Sequence, residues 1–255
     1  MITVGVDLGA EPKRTSVAAL QWSDGMVWLT DLLTSADDAV ILELAQASDK
    51  VGIDCPLGWP DGFVDFVNAH HGLQRVTPQI DAEARKPLRY RATDEWLVEE
   101  GLGRPLSVSS DLIGVCAMRA AGLLAAMTAA HLEIDRAGVS GRVAETYPAA
   151  AIRHWNLGTG RYKGREYADV LSTMVDQLLK TFQGRLDLGE FEDICRDSDD
   201  AFDAVICALV AKATLTYRGT TPVPPALISR ARREGWIAVP TCRPLELLGP
   251  VGFEA

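Results

Sequence analysis

Two short apolar segments of the chain each end on an aspartate, and these two acids are the first candidates for chemistry. Asp7 stands in "VGVDLGA" and Asp54 in "VGIDCPLG", and a glycine lies two residues before each acid. Side chains alternate along a strand, so the glycine and the acid share a face. If the two strands pair in register, the carboxylates lie side by side, where repulsion and burial raise their pKa values. A divalent cation that prefers oxygen ligands, Mg²⁺ or Mn²⁺, removes both costs.

Three further acids occupy positions that a shared metal ion would also explain. Asp200 and Asp203 are three residues apart in a predicted helix, which places them on one face, and Asp203 continues the apolar stripe of that helix. Glu145 lies in the strand-like segment "VAETYP". Structural explanations stay open: the strand-end aspartates can cap turns, Asp200 can favour the helix dipole, and Glu145 can pair with an arginine such as Arg91. A shared metal site accounts for all the acids with one cause.

The elements that must position these acids follow from hydrophobic periodicity and turn residues. Their order is typical of a mixed α/β sheet, and no linker divides the chain. We expect an antiparallel meander of three strands and a fourth strand, after a helix, that pairs parallel with the first. The predicted strands cover residues 2–8, 15–22, 26–33, 50–54, 142–147 and, at an edge, 236–240, and the predicted helices cover 37–48, 110–131, 149–155, 165–183 and 197–217, the last with Ser198 as N-cap.

Residues 61–105 are polar and show no clear period. This segment contains His70, His71 and the basic stretch "RKPLRYR" at 85–91. The two histidines have no partner at ligand spacing, so we interpret them as loop residues. The segment is predicted to be an irregular lid or substrate loop close to the acids.

Composition limits the classes of protein to which the chain can belong. Of its 255 residues, 35 are acidic and 25 basic, and the net charge of -10 argues against nucleic-acid binding through a basic surface, although metal ions can bring phosphate to an acidic nuclease. Five cysteines without C-x-x-C spacing predict neither disulfides nor a zinc site and favour a cytoplasmic protein. The N-terminal residues lack a signal-peptide pattern, and Arg119 interrupts the apolar stretch 112–130, which predicts a buried helix and no membrane span.

Six motifs, in order along the chain, resemble the family known as domain of unknown function 429, described as predicted nucleases of RNase H-like fold. The resemblance spans roughly residues 3–240. It implies a single RNase H-like domain over residues 1–255, with a mixed five-stranded sheet flanked by helices and an insertion at about 60–135. The motifs are "VGVDLGA", "GIDCPLGWP", "YRATDEW", "AETYPAA", "GRYKGREY" and "DDAFDAVICALVAKA".

For function, the resemblance implies a metal-dependent nuclease that hydrolyses phosphodiester bonds with two Mg²⁺ or Mn²⁺ ions. Asp7 then bridges the ions, while Asp54 and Asp203 complete the two sites. Asp200 or Glu145 serves as an outer ligand or a base. The basic residues expected to neutralise the phosphate of a nucleic acid or nucleotide are Lys13, Arg91 and Lys163.

Two alternatives stay open on the sequence. "VGVDLGA" also resembles the first phosphate loop of the actin-like kinases, which implies an ATP-dependent phosphotransferase, although one core in 255 residues is short for two lobes. A non-catalytic binding module on the same fold is the other alternative, and the acidic balance of the chain suits it. Neither the oligomeric state nor the choice among DNA, RNA and a small nucleotide follows from the sequence.

Overall fold

A mixed six-stranded sheet forms the centre of the computed structural model, which describes residues 1–72, 81–158 and 160–249. The strands are β1 (Ile2–Asp7), β2 (Ser16–Ser23), β3 (Met26–Leu33), β4 (Lys50–Asp54), β5 (Val143–Glu145) and β6 (Leu186–Asp187). Their spatial order is β5–β4–β1–β2–β3–β6. The pairs β1–β2 and β2–β3 are antiparallel, whereas β1–β4, β4–β5 and β3–β6 are parallel.

Helices flank this sheet. In the described part of the chain, no helix combines the length and the apolar character that crossing a membrane requires. The α-helices are α1 (Asp38–Ala47), α2 (Asp61–His71), α3 (Ala82–Arg89), α4 (Ala92–Glu99), α5 (Gly114–Ala129), α6 (Pro148–His154), α7 (Ala168–Thr181), α8 (Glu192–Asp197), α9 (Asp199–Thr214) and α10 (Ile228–Glu234).

Apolar side chains on the two faces of the sheet pack into two separate layers. On one face, Val6 of β1 belongs to a cluster with Leu123 of α5. On the other face, Leu20 of β2 belongs to a cluster with Leu178 of α7 and Phe202 of α9. Because neighbouring residues of a strand point to opposite faces, the central strands are apolar on both sides.

Helix α9 is the central helix of the second layer and packs on β1, β2 and β4. Every residue from Ala201 to Ala213 is buried, as expected for a helix that is apolar around most of its circumference. The side chain of Ser198 accepts a hydrogen bond from the backbone N–H of Ala201 at 3.2 Å, so the predicted N-cap is confirmed. The helix therefore starts at a defined position beside the ends of β1 and β4.

The predicted meander and the parallel fourth strand are confirmed. The five-stranded sheet that the resemblance implies is wrong in number, because the sheet has six strands. The sixth strand, β6, is only two residues long and pairs Leu186 with Val27 at the outer edge of β3. A segment this short has no readable period. The predicted edge strand at 236–240 is replaced by isolated bridges at Ile237 and Pro240, and Pro240 has no backbone N–H to extend a ladder.

The irregular loop predicted for residues 61–105 is wrong for the part that the structure describes, because α2, α3 and α4 lie within it. Helix α3 buries none of its residues, and its short, mostly charged sequence contains Pro87, a residue that disfavours a helix interior. It begins instead with a local cap, in which the Asp81 side chain accepts a hydrogen bond from the Ala84 N–H at 2.9 Å. Residues 73–80 of the predicted loop lie outside the described residues.

Candidate metal centre

Three carboxylates from three elements meet at one end of the sheet. The parallel register of β1 and β4 places Asp7 opposite Asp54, the arrangement that the alternation pattern predicts. Asp203, in the second turn of α9, is fully buried and faces this pair. One carboxylate oxygen of each acid lies within 4.8 Å of the others, and among the described residues these three form the group positioned to share a metal ion.

Two glycines bring the helix and the strands together. A Cβ atom on Gly5 would lie 2.0 Å from the carbonyl oxygen of Ala204, and one on Gly52 would lie 2.4 Å from that of Cys207. Both distances are far below contact, so any side chain at either position would push α9 away from the sheet. The space beside each strand-end aspartate is thus filled by the helix backbone, which carries Asp203 to the other two acids.

The environment disfavours the charged forms of these acids. Burial, followed by the charge of Asp54, raises the pKa of Asp7 to about 9. Burial, followed by the charge of Asp203, raises the pKa of Asp54 to about 7. Burial also raises the pKa of Asp203, although the nearby Lys163 opposes this shift. Three such carboxylates in contact are stable as anions only when positive charge compensates them.

Tyr162 and Lys163 supply part of that compensation. The Tyr162 hydroxyl donates a hydrogen bond to Asp203 Oδ1 at 2.9 Å, and Lys163 Nζ lies 2.6 Å from Asp203 Oδ2. Burial lowers the pKa of Lys163, but the charges of Asp203 and Asp7 outweigh this effect and raise it above the ordinary value. Lys163, named from the sequence as a phosphate contact, therefore lies inside the acid cluster, with its side chain still about half exposed (53%).

A hydrogen bond from a backbone N–H ties the loop that carries Lys163 to the start of α9. Gly164 adopts a φ of 107°, a conformation that favours glycine. Its backbone N–H donates a hydrogen bond to Asp199 Oδ2 at 3.2 Å, which ties the loop to the start of α9.

The acid cluster borders a cleft of about 890 Å³ through Asp7, which lines it. Asp7 and Lys163 line its interior, and Asp200 lies on the wall formed by the start of α9. Arg14 and Arg165, both exposed, also line the cleft. Sequence reasoning missed these two arginines and Tyr162, although Tyr162 and Arg165 stand in the motif "GRYKGREY". Arg14 is the last residue of a short turn and carries no recognisable signal.

Glu145 and Arg91 lie in a different, fully buried network. The Arg91 guanidinium donates to Glu145 at 2.7 and 2.8 Å and to Asp94 at 2.9 and 3.1 Å. Glu145 also accepts the Leu57 N–H at 3.0 Å, which fixes the loop after β4. Both side chains are about 1% exposed. The structural alternative for Glu145 is therefore confirmed, and the roles of outer ligand for Glu145 and of phosphate contact for Arg91 do not fit these positions.

Lys13, predicted to neutralise phosphate, is exposed on the surface and paired with a neighbouring acid. It lies in the short 3-10 turn Pro12–Arg14 and forms an exposed ion pair with Glu11 at 2.7 Å. Of the three residues of this turn, Arg14 is the one that lines the cleft.

The donor set of the cluster fits a hard divalent cation. Carboxylate oxygens at the ends of two strands and one helix are the ligands that Mg²⁺ and Mn²⁺ prefer. Among the described residues, the buried Asp203 Oδ2 has no hydrogen-bond donor. It forms an ion pair with Lys163 instead. Asp7 and Asp54 therefore offer ligand atoms beside a partly compensated third acid.

Fold and site together define a mixed α/β protein with an acidic centre at the carboxyl ends of two parallel strands. A family model described as Protein of unknown function (DUF429) matches residues 5–227, and the chain belongs to this family. The resemblance drawn from the six motifs is thereby confirmed at the level of the family. Comparisons with curated proteins and with solved structures gave no significant match.

Proposed function

We propose that the protein is a metal-dependent nuclease that hydrolyses phosphodiester bonds in a nucleic acid or nucleotide. The observation that carries the proposal is the convergence of Asp7, Asp54 and Asp203 to within 4.8 Å of one another at a cleft with basic side chains on its wall. Carboxylates in this arrangement suit Mg²⁺ or Mn²⁺, and the arginines suit a substrate that carries phosphate.

The topology supports an RNase H-like fold within this proposal. The sheet contains an antiparallel meander, β1 to β3, with β4 and β5 added parallel on the side of β1. Acids at the ends of β1 and β4 face an acid from a late helix, as the resemblance implies. The short β6 extends this pattern at the far edge and does not alter the site.

Each side chain then has a defined task. Asp7 and Asp54 hold the cation, which, when bound, supplies Lewis-acid activation of water and charge neutralisation at the phosphate. Arg14 and Arg165 bind the non-bridging phosphate oxygens, since guanidinium groups match phosphate geometry. Asp200, which is half-buried on the cleft wall, is placed to accept a proton from the attacking water or to act as an outer ligand.

Calorimetric titration of Mg²⁺ and Mn²⁺ into wild type and Asp7→Asn tests the proposal. We expect saturable binding to wild type and its loss in the variant, because Asp7 offers a ligand atom to the cluster. Asp31→Asn is the matched control, since Asp31 is an exposed strand aspartate on β3. A nuclease assay on single-stranded, duplex and dinucleotide substrates then follows with the same three proteins.

The remaining functions give different results in the same experiments. Wild type that binds neither metal, with or without a phosphate-containing substrate, would contradict the nuclease proposal and favour a binding module. Thermal stabilisation that requires ATP, and not the metal alone, would favour the phosphotransferase. Cleavage that persists in Asp7→Asn would show that the acid cluster is not the active site.

A further inference from the structure

Lys163 places a positive charge directly beside the third acid of the cluster. Its Nζ lies 2.6 Å from Asp203 Oδ2, and the other oxygen of Asp203 accepts the Tyr162 hydroxyl at 2.9 Å. Both oxygens of the helix acid therefore have a partner from the same loop. The charge of Lys163 also acts on Asp7 and Asp54, so it belongs to the whole cluster.

The charge balance of the site favours a single ion. Asp7, Asp54 and Asp203 carry three negative charges when ionised. In the substrate-free centre, one divalent cation and the Lys163 ammonium neutralise these three acids, whereas two divalent cations together with Lys163 leave a surplus of two positive charges, or of one when Asp200 is counted. Uncompensated charge of either sign is costly in a partly buried site.

The loop holds the lysine in place without a substrate. Gly164 turns the chain directly after Lys163, and its N–H is bonded to Asp199 at the start of α9. The side chain of Lys163 nevertheless stays about half exposed toward the cleft (53%). An ammonium group that is anchored on Asp203 and open to the cleft can contact a phosphate oxygen as well.

We propose that Lys163 takes the place of one of the two metal ions, so that the centre binds a single divalent cation through Asp7 and Asp54 while Asp203 anchors the lysine. This inference rests on the proposed function and specifies the composition of the same site. It assigns to Lys163 the charge compensation that a second cation provides in two-metal sites.

The test is the number of Mn²⁺ ions bound per chain, measured by calorimetric titration and by electron paramagnetic resonance. We expect one ion in wild type and two in Lys163→Met, with magnetic coupling between the two ions because two-metal sites hold them about 4 Å apart. Lys163→Arg keeps the positive charge and should bind one ion. Lys180→Met is the matched control, since Lys180 is an exposed lysine at the end of α7 that does not line the cleft.

The outcomes separate this inference from the proposed function. Two ions in wild type, or one ion in both wild type and a folded Lys163→Met variant, would overturn the role of Lys163 and leave the metal centre standing. No saturable binding to wild type would overturn both. If Lys163→Met does not fold, a count of one in wild type with two in the milder Lys163→Gln variant supports the inference, and a count of one in that variant opposes it.

Discussion

Asp7 is held in the folded protein where its charged form is disfavoured, and this has a consequence for stability. Its pKa is 3.8 in an ordinary environment and about 9 in the folded, metal-free protein, so between these values the native state holds an extra proton. The contribution of Asp7 to stability is fully present below about pH 4. It is lost as the pH rises through the raised pKa of about 9.

We therefore expect metal-free Asp7→Asn, which cannot ionise, to gain stability relative to wild type as the pH rises from about 5 to about 9. Urea unfolding at several pH values measures the difference. Millimolar Mn²⁺ should stabilise wild type at the alkaline end, because a cation favours the ionised carboxylate. A difference between the two proteins that does not change with pH would contradict the raised pKa of Asp7.

Arg91 forms buried ion pairs that stabilise the protein, and it does not line the cleft where a ligand would bind. Its guanidinium is 1% exposed and pairs with Asp94 and Glu145, so removal leaves two buried carboxylates without compensation. We expect Arg91→Ala to lower the free energy of unfolding by about 3–5 kcal/mol. Urea unfolding monitored by circular dichroism measures the loss.

The chain contains a matched control for this variant. Arg243 forms the same i,i+3 arrangement with Glu246 at the start of a short helix, but its side chain is 83% exposed. We expect Arg243→Ala to leave the unfolding midpoint nearly unchanged, because water compensates exposed charges. Equal losses in the two variants would show that burial of the Arg91 network does not determine its contribution.

At the level of elements, the metal centre depends on how closely α9 approaches β1. In Gly5→Ala the new Cβ would lie 2.0 Å from the backbone oxygen of Ala204, and neither backbone can yield without separating the helix from the sheet. We expect a loss of about 3 kcal/mol or more in unfolding free energy. Mn²⁺ affinity should also fall, because the packing of α9 on β1 holds Asp7 in position beside Asp54.

Gly122→Ala is the control for this effect. Gly122 is exposed on α5, and a Cβ at this position would meet no atom within 4 Å. Alanine favours a helix over glycine by up to about 1 kcal/mol, so this variant should be slightly more stable than wild type and should bind Mn²⁺ normally. Normal Mn²⁺ affinity in Gly5→Ala would contradict the dependence of the centre on the α9 position.

At the scale of the whole molecule, the chain has a net charge of -10, and few basic side chains line the cleft. The positive groups that line it are Arg14, Lys163 and Arg165. Three phosphate contacts to a single strand predict that the logarithm of affinity falls with the logarithm of salt with a slope of about -2. Fluorescence anisotropy of a short labelled oligonucleotide, with Ca²⁺ in place of Mg²⁺ to prevent hydrolysis, measures this slope.

The same measurement distinguishes a short substrate from a long duplex. A slope several times steeper would require a basic surface beyond the cleft and would contradict recognition by these three residues. Arg165→Gln should reduce the magnitude of the slope by about 0.7, because one phosphate contact is removed. Arg153→Gln is the control, since Arg153 lies in α6 and does not line the cleft.

Local pattern was sufficient to predict much of this protein. Alternation and turn residues predicted the first four strands, and the apolar helix with Ser198 as its cap was predicted to within a few residues. The acids at the ends of β1 and β4 could be predicted as neighbours because the helical connection favours parallel pairing of these strands, and the structure shows the register that places them side by side. Family membership followed from the order of the six motifs.

Long-range contacts were not predictable in the same way. Arg91 and Glu145 are 54 residues apart, and Lys163 and Asp203 are 40 residues apart, so no local pattern reports that each pair is in contact. The sequence suggested Glu145 and Arg91 both as site residues and as an ion pair, and burial selected the ion pair. Helices α2 to α4 also escaped prediction, because their sequences are rich in polar residues, and α2 and α3 bury none of their side chains.

Local sequence thus specifies which acids end the strands, since strand alternation and strand termination act within a few residues. Three-dimensional packing specifies which charges surround those acids, since electrostatic energy depends on distance and burial rather than on separation along the chain. Gly5 of β1 and Gly52 of β4 show how local sequence and three-dimensional packing combine. They are readable as a motif, but only the packed helix shows that their lack of side chains brings Asp203 to Asp7 and Asp54.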